Sequence, residues 1–214
     1  MTIKERYEGI ISRFREIMPS PQTELNYDTP FHLLLAVILS AQCTDKRVNI
    51  ISSPLFEAYP NAASLAAAEP EEVFAYIKSV TFPHNKSRHL VNAARKLVAD
   101  FGGEVPGDID SLVTIPGVGR KTANVMLAVV WGKAAMPVDT HVFRVSRRLG
   151  LARNCTTPLA VEKALVRHID PEMLPDAHHW LILHGRYVCK ARKPMCGECP
   201  VSDFCLEHSQ KKQC

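Results

Sequence analysis

Apolar residues recur at helical spacing along most of this chain. Between residues 3 and 18, Ile3, Tyr7, Ile10, Ile11, Phe14 and Ile17 share one stripe, because side chains three and four apart lie on the same helical face. Pro19-Ser20-Pro21 ends that pattern, since proline cannot continue a helix. Residues 31–42 are apolar on most sides, which predicts a central, buried helix. Residues 85–101 place Leu90, Ala94, Leu97 and Phe101 on one stripe, and Gly102-Gly103 provides the stop. Residues 122–131 are again apolar all round, and Thr157-Pro158 reads as an N-cap followed by a first-turn proline. No stretch alternates with the period of a half-buried strand, and no internal repeat is present. The pattern predicts an all-α fold.

The patterning also divides the chain. Residues 23–133 read as a series of helices joined by short turns. From Cys189 onward the sequence turns cysteine-rich and basic with little apolar periodicity. Such a tail has too few apolar residues for a core of its own.

The most informative turn is Leu112-Val113-Thr114-Ile115-Pro116-Gly117-Val118-Gly119-Arg120-Lys121-Thr122-Ala123. A short helix runs into Pro-Gly-Val-Gly and another begins at once. Gly117 and Gly119 permit a tight hairpin with positive φ and a close backbone approach to an anion. The helix that follows adds unpaired N–H donors and its positive end. A DNA phosphate suits such a hairpin, which would hold it without reading sequence. A helix–helix turn with no ligand is the plainer reading. A nucleotide-binding P-loop is excluded: Arg120 separates Gly119 from Lys121, Thr114 stands where the first glycine belongs, and no strand precedes it.

Composition adds bounds. The chain has 214 residues, 46% hydrophobic and 22% charged, which suffices for one domain or two small ones, and its formal net charge of +4 leans toward anionic partners. The N-terminus is charged with no secretory apolar core behind it. The longest apolar run, 33–39, is far shorter than the roughly 20 residues a bilayer span needs. A soluble, intracellular monomer is therefore expected. Four of the seven cysteines, Cys189, Cys196, Cys199 and Cys205, crowd into 17 positions. In a reducing compartment such crowding points to a metal site rather than disulfides. The spacing x6-x2-x5 leaves zinc and an iron–sulfur cluster both open. Cys43, Cys155 and Cys214 receive no role.

Lys121 opens an apolar helix beside Arg120, where burial and like charge are expected to lower its proton affinity. A neutral amine is a nucleophile that forms Schiff bases. Downstream, Asp139 follows Pro137-Val138 and precedes a helical pattern, so it caps a helix, faces a reaction centre, or does both.

These two stretches, 115–125 and 138–144, resemble the helix-hairpin-helix DNA glycosylases, and most closely the endonuclease III branch. Leu39-Ser40-Ala41-Gln42-Cys43-Thr44-Asp45 and His178-His179-Trp180-Leu181-Ile182-Leu183-His184-Gly185-Arg186 match the same branch, and the similarity runs from about residue 20 to 206. The resemblance implies a six-helix barrel domain over residues 23–133 and an iron–sulfur domain formed by residues 1–22 with 134–214. It implies a bifunctional DNA glycosylase and abasic-site lyase of base excision repair, acting on damaged, chiefly oxidised, pyrimidines in double-stranded DNA. Lys121 would attack the sugar and Asp139 would assist. Cys189, Cys196, Cys199 and Cys205 would hold a [4Fe–4S] cluster. Gly117, Gly119 and Arg120 of the hairpin, and Lys190, Arg192 and Lys193 between the first two cysteines, would contact phosphates. Gln42 and Phe82 would fill the gap left by a flipped nucleotide. Around Phe82 the chain departs from its relatives: Thr81 and Pro83-His84 replace the commoner glycine and aromatic-Asn. The implied setting is a bacterial cytoplasm, on the nucleoid. A pyrimidine-dimer or mismatch-thymine glycosylase on the same fold is an alternative, as is a DNA-binding module without catalysis. An adenine glycosylase is disfavoured, because Leu35-Ala36-Val37-Ile38-Leu39 carries no acid where that enzyme has its catalytic glutamate.

Overall fold

Helix-forming stretches punctuated by Pro, Gly and capping hydroxyls give a chain whose described residues, 1–211, hold helices and turns and no strand. The structure is a computed structural model. It falls into two units, Thr23–Trp131 and Met1–Gln22 with Gly132 onward. No described helix is long and apolar enough to cross a membrane.

The central unit contains α2 (Pro30–Leu39), α3 (Asp45–Ala58), α4 (Ala62–Ala66), α5 (Pro70–Ile77), α6 (Pro83–Phe101), α7 (Ile109–Leu112) and α8 (Arg120–Trp131). Phe31 to Leu39 of α2 are all buried, His32 included. The expected span of this helix, 31–42, is corrected at its end: Ser40 is the C-cap. Gln42 therefore lies in the following loop with φ +54°. α6 begins at Pro83 and takes exposed Phe82 as its N-cap in the left-handed region. α8 buries Ala123 to Ala128. It begins two residues earlier than expected, so Lys121 lies in its first turn.

The second unit contains α1 (Ile3–Ile17), α9 (Thr140–Leu149), α10 (Pro158–His168), α11 (Leu174–Tyr187) and α12 (Leu206–Lys211), with 3₁₀ turns at Pro171–Met173, Cys196–Glu198 and Ser202–Phe204. Its core combines Tyr7, Ile10 and Phe14 of α1 with Val142, Val145 and Leu149 of α9 and Trp180 and Leu181 of α11. The cysteine-rich tail, with too few apolar residues for a core of its own, is tied into this one. Val201 is fully buried, the Phe204 ring lies where a Cβ on Gly9 would stand, and Arg6 donates to the carbonyls of Leu149 and Phe204. Cys214 lies outside the described residues.

Candidate functional site

The hairpin is built by short local bonds. Thr114 N–H donates to Ser111 O at 3.1 Å, Ile115 to Leu112 at 3.1 Å and Val118 to Ile115 at 3.0 Å. Ile115 and Val118 are buried, so the turn is pinned by its apolar residues and shows its glycines outward. Gly117 has φ +82°, and a Cβ there would stand 3.1 Å from His89 Cβ. Both facts favour glycine. The same expectation for Gly119 is corrected: its φ is not positive and an added Cβ would meet nothing within 4 Å. Its carbonyl accepts the first helical bond of α8, from Ala123 N–H at 2.9 Å.

Arg120 and Lys121 both project from the exposed first turn of α8. Lys121 is exposed rather than buried as expected, since the apolar part of α8 starts beyond it at Ala123. Asp139 lies in the other unit and caps α9: its Oδ1 accepts from Val142 N–H at 2.7 Å. Pro137 and Val138 before it are buried, and the Nδ1 of buried His178 lies 3.1 Å from the Pro137 carbonyl. Asp139 is half-buried, held in place from both sides.

The loops carrying Gln42 and Phe82 meet within the central unit. Thr81 Oγ1 donates to the Gln42 carbonyl at 2.8 Å. Buried Lys86 donates to the carbonyls of Leu39 at 2.8 Å and Ala41 at 2.6 Å. Both Gln42 and Phe82 are exposed, and both have left-handed backbones, with φ +54° and +53°. Pro83 fills the first turn of α6, and His84 stacks on Phe74 with ring centroids 4.3 Å apart. Sequence reasoning missed Lys86, although its spacing was informative: it lies four residues before Leu90, on the apolar stripe of α6.

Cys189, Cys196, Cys199 and Cys205 line one cavity with His184 and Met195. All four are half-buried free thiols. The Cys199 thiol is pushed up to about 11, chiefly by burial, against a backbone hydrogen bond at Val201 that lowers it, with Cys205, Cys189 and Cys196 adding to the rise. Four sulfurs this close, each raising the cost of ionising another, suit a positively charged metal centre that would stabilise them as thiolates.

Two arginines of α9 hold the loop between the first two cysteines. Arg144 donates to Gly185 O at 2.8 Å and Cys189 O at 3.2 Å. Arg148 donates to Lys190 O at 2.8 Å and Ala191 O at 3.1 Å. Lys190, Arg192 and Lys193 are exposed on this loop, with Lys193 at φ +52°. The sequence named the basic loop and not the arginines behind it. Cys155 donates to Ala160 O at 3.4 Å, a local contact.

Comparison with known proteins agrees with this arrangement. Residues 35–171 match the HhH-GPD superfamily base excision DNA repair proteins, and residues 189–205 match the iron-sulfur binding domain of endonuclease III. Endonuclease III of Rickettsia felis is 46% identical over 196 residues, 92% of each chain. That of Escherichia coli is 44% identical, covering 94% of this chain and 95% of its own. A trapped endonuclease III–DNA covalent intermediate superposes with a TM-score of 0.93 at 41% identity, over 99% of this chain and all of that one. A thermostable thymine-DNA glycosylase shares the fold alone, with a TM-score of 0.84 at 22% identity. With a glycine hairpin, a match to an iron–sulfur binding domain, and likeness along nearly its whole length, the chain belongs to the endonuclease III family of base excision repair DNA glycosylases.

Proposed function

We propose that this glycosylase and abasic-site lyase works through Lys121 as nucleophile and Asp139 as its partner, on oxidised pyrimidines in double-stranded DNA. The observation that carries this reading is the exposure of Lys121 one turn beyond the Gly117 hairpin. A phosphate gripped by the hairpin backbone would bring a deoxyribose beside the amine, and the DNA itself would exclude water from it.

The chemistry follows from those two groups. The Lys121 amine attacks C1′, the N-glycosidic bond breaks, and the base leaves with the bonding electron pair. Asp139, one oxygen held by the α9 cap, faces the sugar and stabilises positive charge as it develops. The amine then loses a proton, the C1′–O4′ bond breaks and O4′ takes up a proton, so the opened sugar is held as a Schiff base that acidifies a C2′ hydrogen. Removing that hydrogen expels the 3′ phosphate by β-elimination. Water then releases the enzyme.

Gln42 and Phe82 enter the duplex, since a flipped nucleotide leaves a gap that needs filling. Gly117, Gly119, Arg120, Lys190, Arg192 and Lys193 take phosphates. Cys189, Cys196, Cys199 and Cys205 would hold a [4Fe–4S] cluster, which would anchor the basic loop, and no redox change is needed for the steps above. The protein acts as a monomer on the nucleoid of a bacterial cytoplasm.

Borohydride trapping on abasic-site DNA tests the central step. A covalent adduct forms with the wild type and is absent in Lys121→Ala. An adduct that persists in Lys121→Ala would place the nucleophile elsewhere, and no adduct with the wild type would leave only a DNA clip.

A further inference from the structure

Phe82 and Gln42 share a conformation that side-chain-bearing residues rarely adopt. Both backbones are left-handed, a region where a Cβ crowds the chain and which persists only when surrounding contacts compensate. Phe82 is 61% exposed and precedes Pro83, so its own packing does not hold it there. Two neighbouring groups supply the compensation. The Thr81 hydroxyl, one residue before Phe82, donates to the carbonyl of Gln42 itself, with Ala41 O 3.4 Å away. The Lys86 ammonium, 5% exposed, reaches back from the first turns of α6 to the carbonyls of Leu39 and Ala41. Those carbonyls lie at and just beyond the C-terminus of α2, where they lack helical partners and the helix dipole favours a cation. Lys86 N–H also donates to the Phe82 carbonyl at 3.0 Å. Lys86 thus touches the backbone of one loop through its N–H and the other through its ammonium.

We propose that Thr81 and Lys86 are positioning residues: together they clamp the Gln42 loop to the Phe82 loop and set the distance between the two side chains that enter DNA. This rests on the reading of Gln42 and Phe82 as inserting residues. It gives the Thr81 departure from the family pattern a function, because a glycine at that position has no hydroxyl to reach the Gln42 carbonyl. Burial pushes the Lys86 ammonium below its ordinary value, in keeping with a site where the Leu39 and Ala41 carbonyls rather than water accept from it. A clamp fixes both loops before DNA arrives, so binding does not lose the free energy of ordering them.

The test uses the full-length protein and a duplex carrying a tetrahydrofuran abasic analogue, with undamaged duplex as control. Thr81→Val keeps the shape at an exposed position and removes the donor. It is expected to weaken binding to the analogue duplex about fivefold, the loss of one net hydrogen bond, and to leave undamaged duplex unaffected. In a Gln42→Ala background the same change is expected to have no further effect, because the distance that the clamp sets then ends on a truncated side chain. Lys86→Met is expected to act on the same term, with circular dichroism confirming its fold; if it does not fold, the Thr81 cycle decides alone. Equal effects of Thr81→Val with and without Gln42 would overturn the clamp. Unchanged binding in both Gln42→Ala and Phe82→Ala would instead defeat the insertion reading beneath it, and the clamp with it. Borohydride trapping at Lys121 in the wild type reports separately on the lyase.

Discussion

Arg148 donates to the backbone carbonyl of Lys190 at 2.8 Å. The same guanidinium reaches Ala191 O at 3.1 Å and pairs with Glu207 at 3.3 Å. One side chain on α9 therefore shapes a loop whose outward face is basic. Arg148→Ala is expected to cost about 1–2 kcal/mol of stability, from two hydrogen bonds on a partly exposed side chain. It should also weaken binding to duplex DNA with a shallower dependence on salt, as Lys190 and its neighbours lose their fixed placement. Binding isotherms at several salt concentrations check this. A variant that binds like the wild type at every salt would show that the loop shapes itself.

Asp139 has a role as a cap and a proposed role in chemistry, and two substitutions separate them. Asparagine caps nearly as well as aspartate, whereas alanine loses the cap at a cost of about 1 kcal/mol. Asp139→Asn is expected to melt close to the wild type and still lose most of its turnover. Near-normal turnover in Asp139→Asn would reduce the residue to its structural role.

Gly185 lets α11 approach α9. A Cβ there would stand 2.9 Å from His141 Cβ and 3.0 Å from Val145 Cγ2, tighter than packed atoms tolerate. Gly185→Ala is expected to destabilise the protein by about 1–3 kcal/mol through overpacking. It would also push α9, and Asp139 at its start, out of position. Thermal denaturation together with single-turnover rates measures both effects, and an unshifted melting temperature would show that the helices can part without cost.

His179 is buried, and burial first, then the nearby Arg186 charge, holds its imidazole below the usual histidine value. The unfolded chain then binds a proton more readily than the folded one. The neutral ring contributes its stability above the ordinary histidine value, near ~6.5, and that contribution fades as pH falls below it toward the lower folded value. The melting temperature of the wild type should drop between pH 7 and pH 5 more steeply than that of His179→Gln. Parallel profiles would mean that other groups govern the acid limb.

The cysteine cavity makes a spectroscopic prediction. The purified protein should be yellow-brown with broad visible absorption, and Cys199→Ser should lose most of that colour and part of its stability. A colourless protein carrying stoichiometric zinc would overturn the cluster.

Periodicity alone determined that this chain is helical, because a 3.6-residue repeat of apolar side chains leaves few other ways to bury them. Motif spacing likewise singled out the Gly117 hairpin, Lys121 and the four clustered cysteines, since such signals are local and survive in one dimension. The ends of elements were less visible. α2 stops at Leu39 and α8 starts at Arg120, and those few residues move Gln42 off its helix and Lys121 into the first turn of the next. Lys86 and Thr81 show what only the tertiary structure decided. Their partners, Leu39, Ala41 and Gln42, are backbone carbonyls about 40 residues away. A carbonyl has no letter of its own in a sequence, so which lysine meets one depends on how α2 and α6 pack. Exposure behaves the same way: Lys121 opens an apolar helix and still faces water, because the packing of that helix begins one residue past its neighbour, at Ala123.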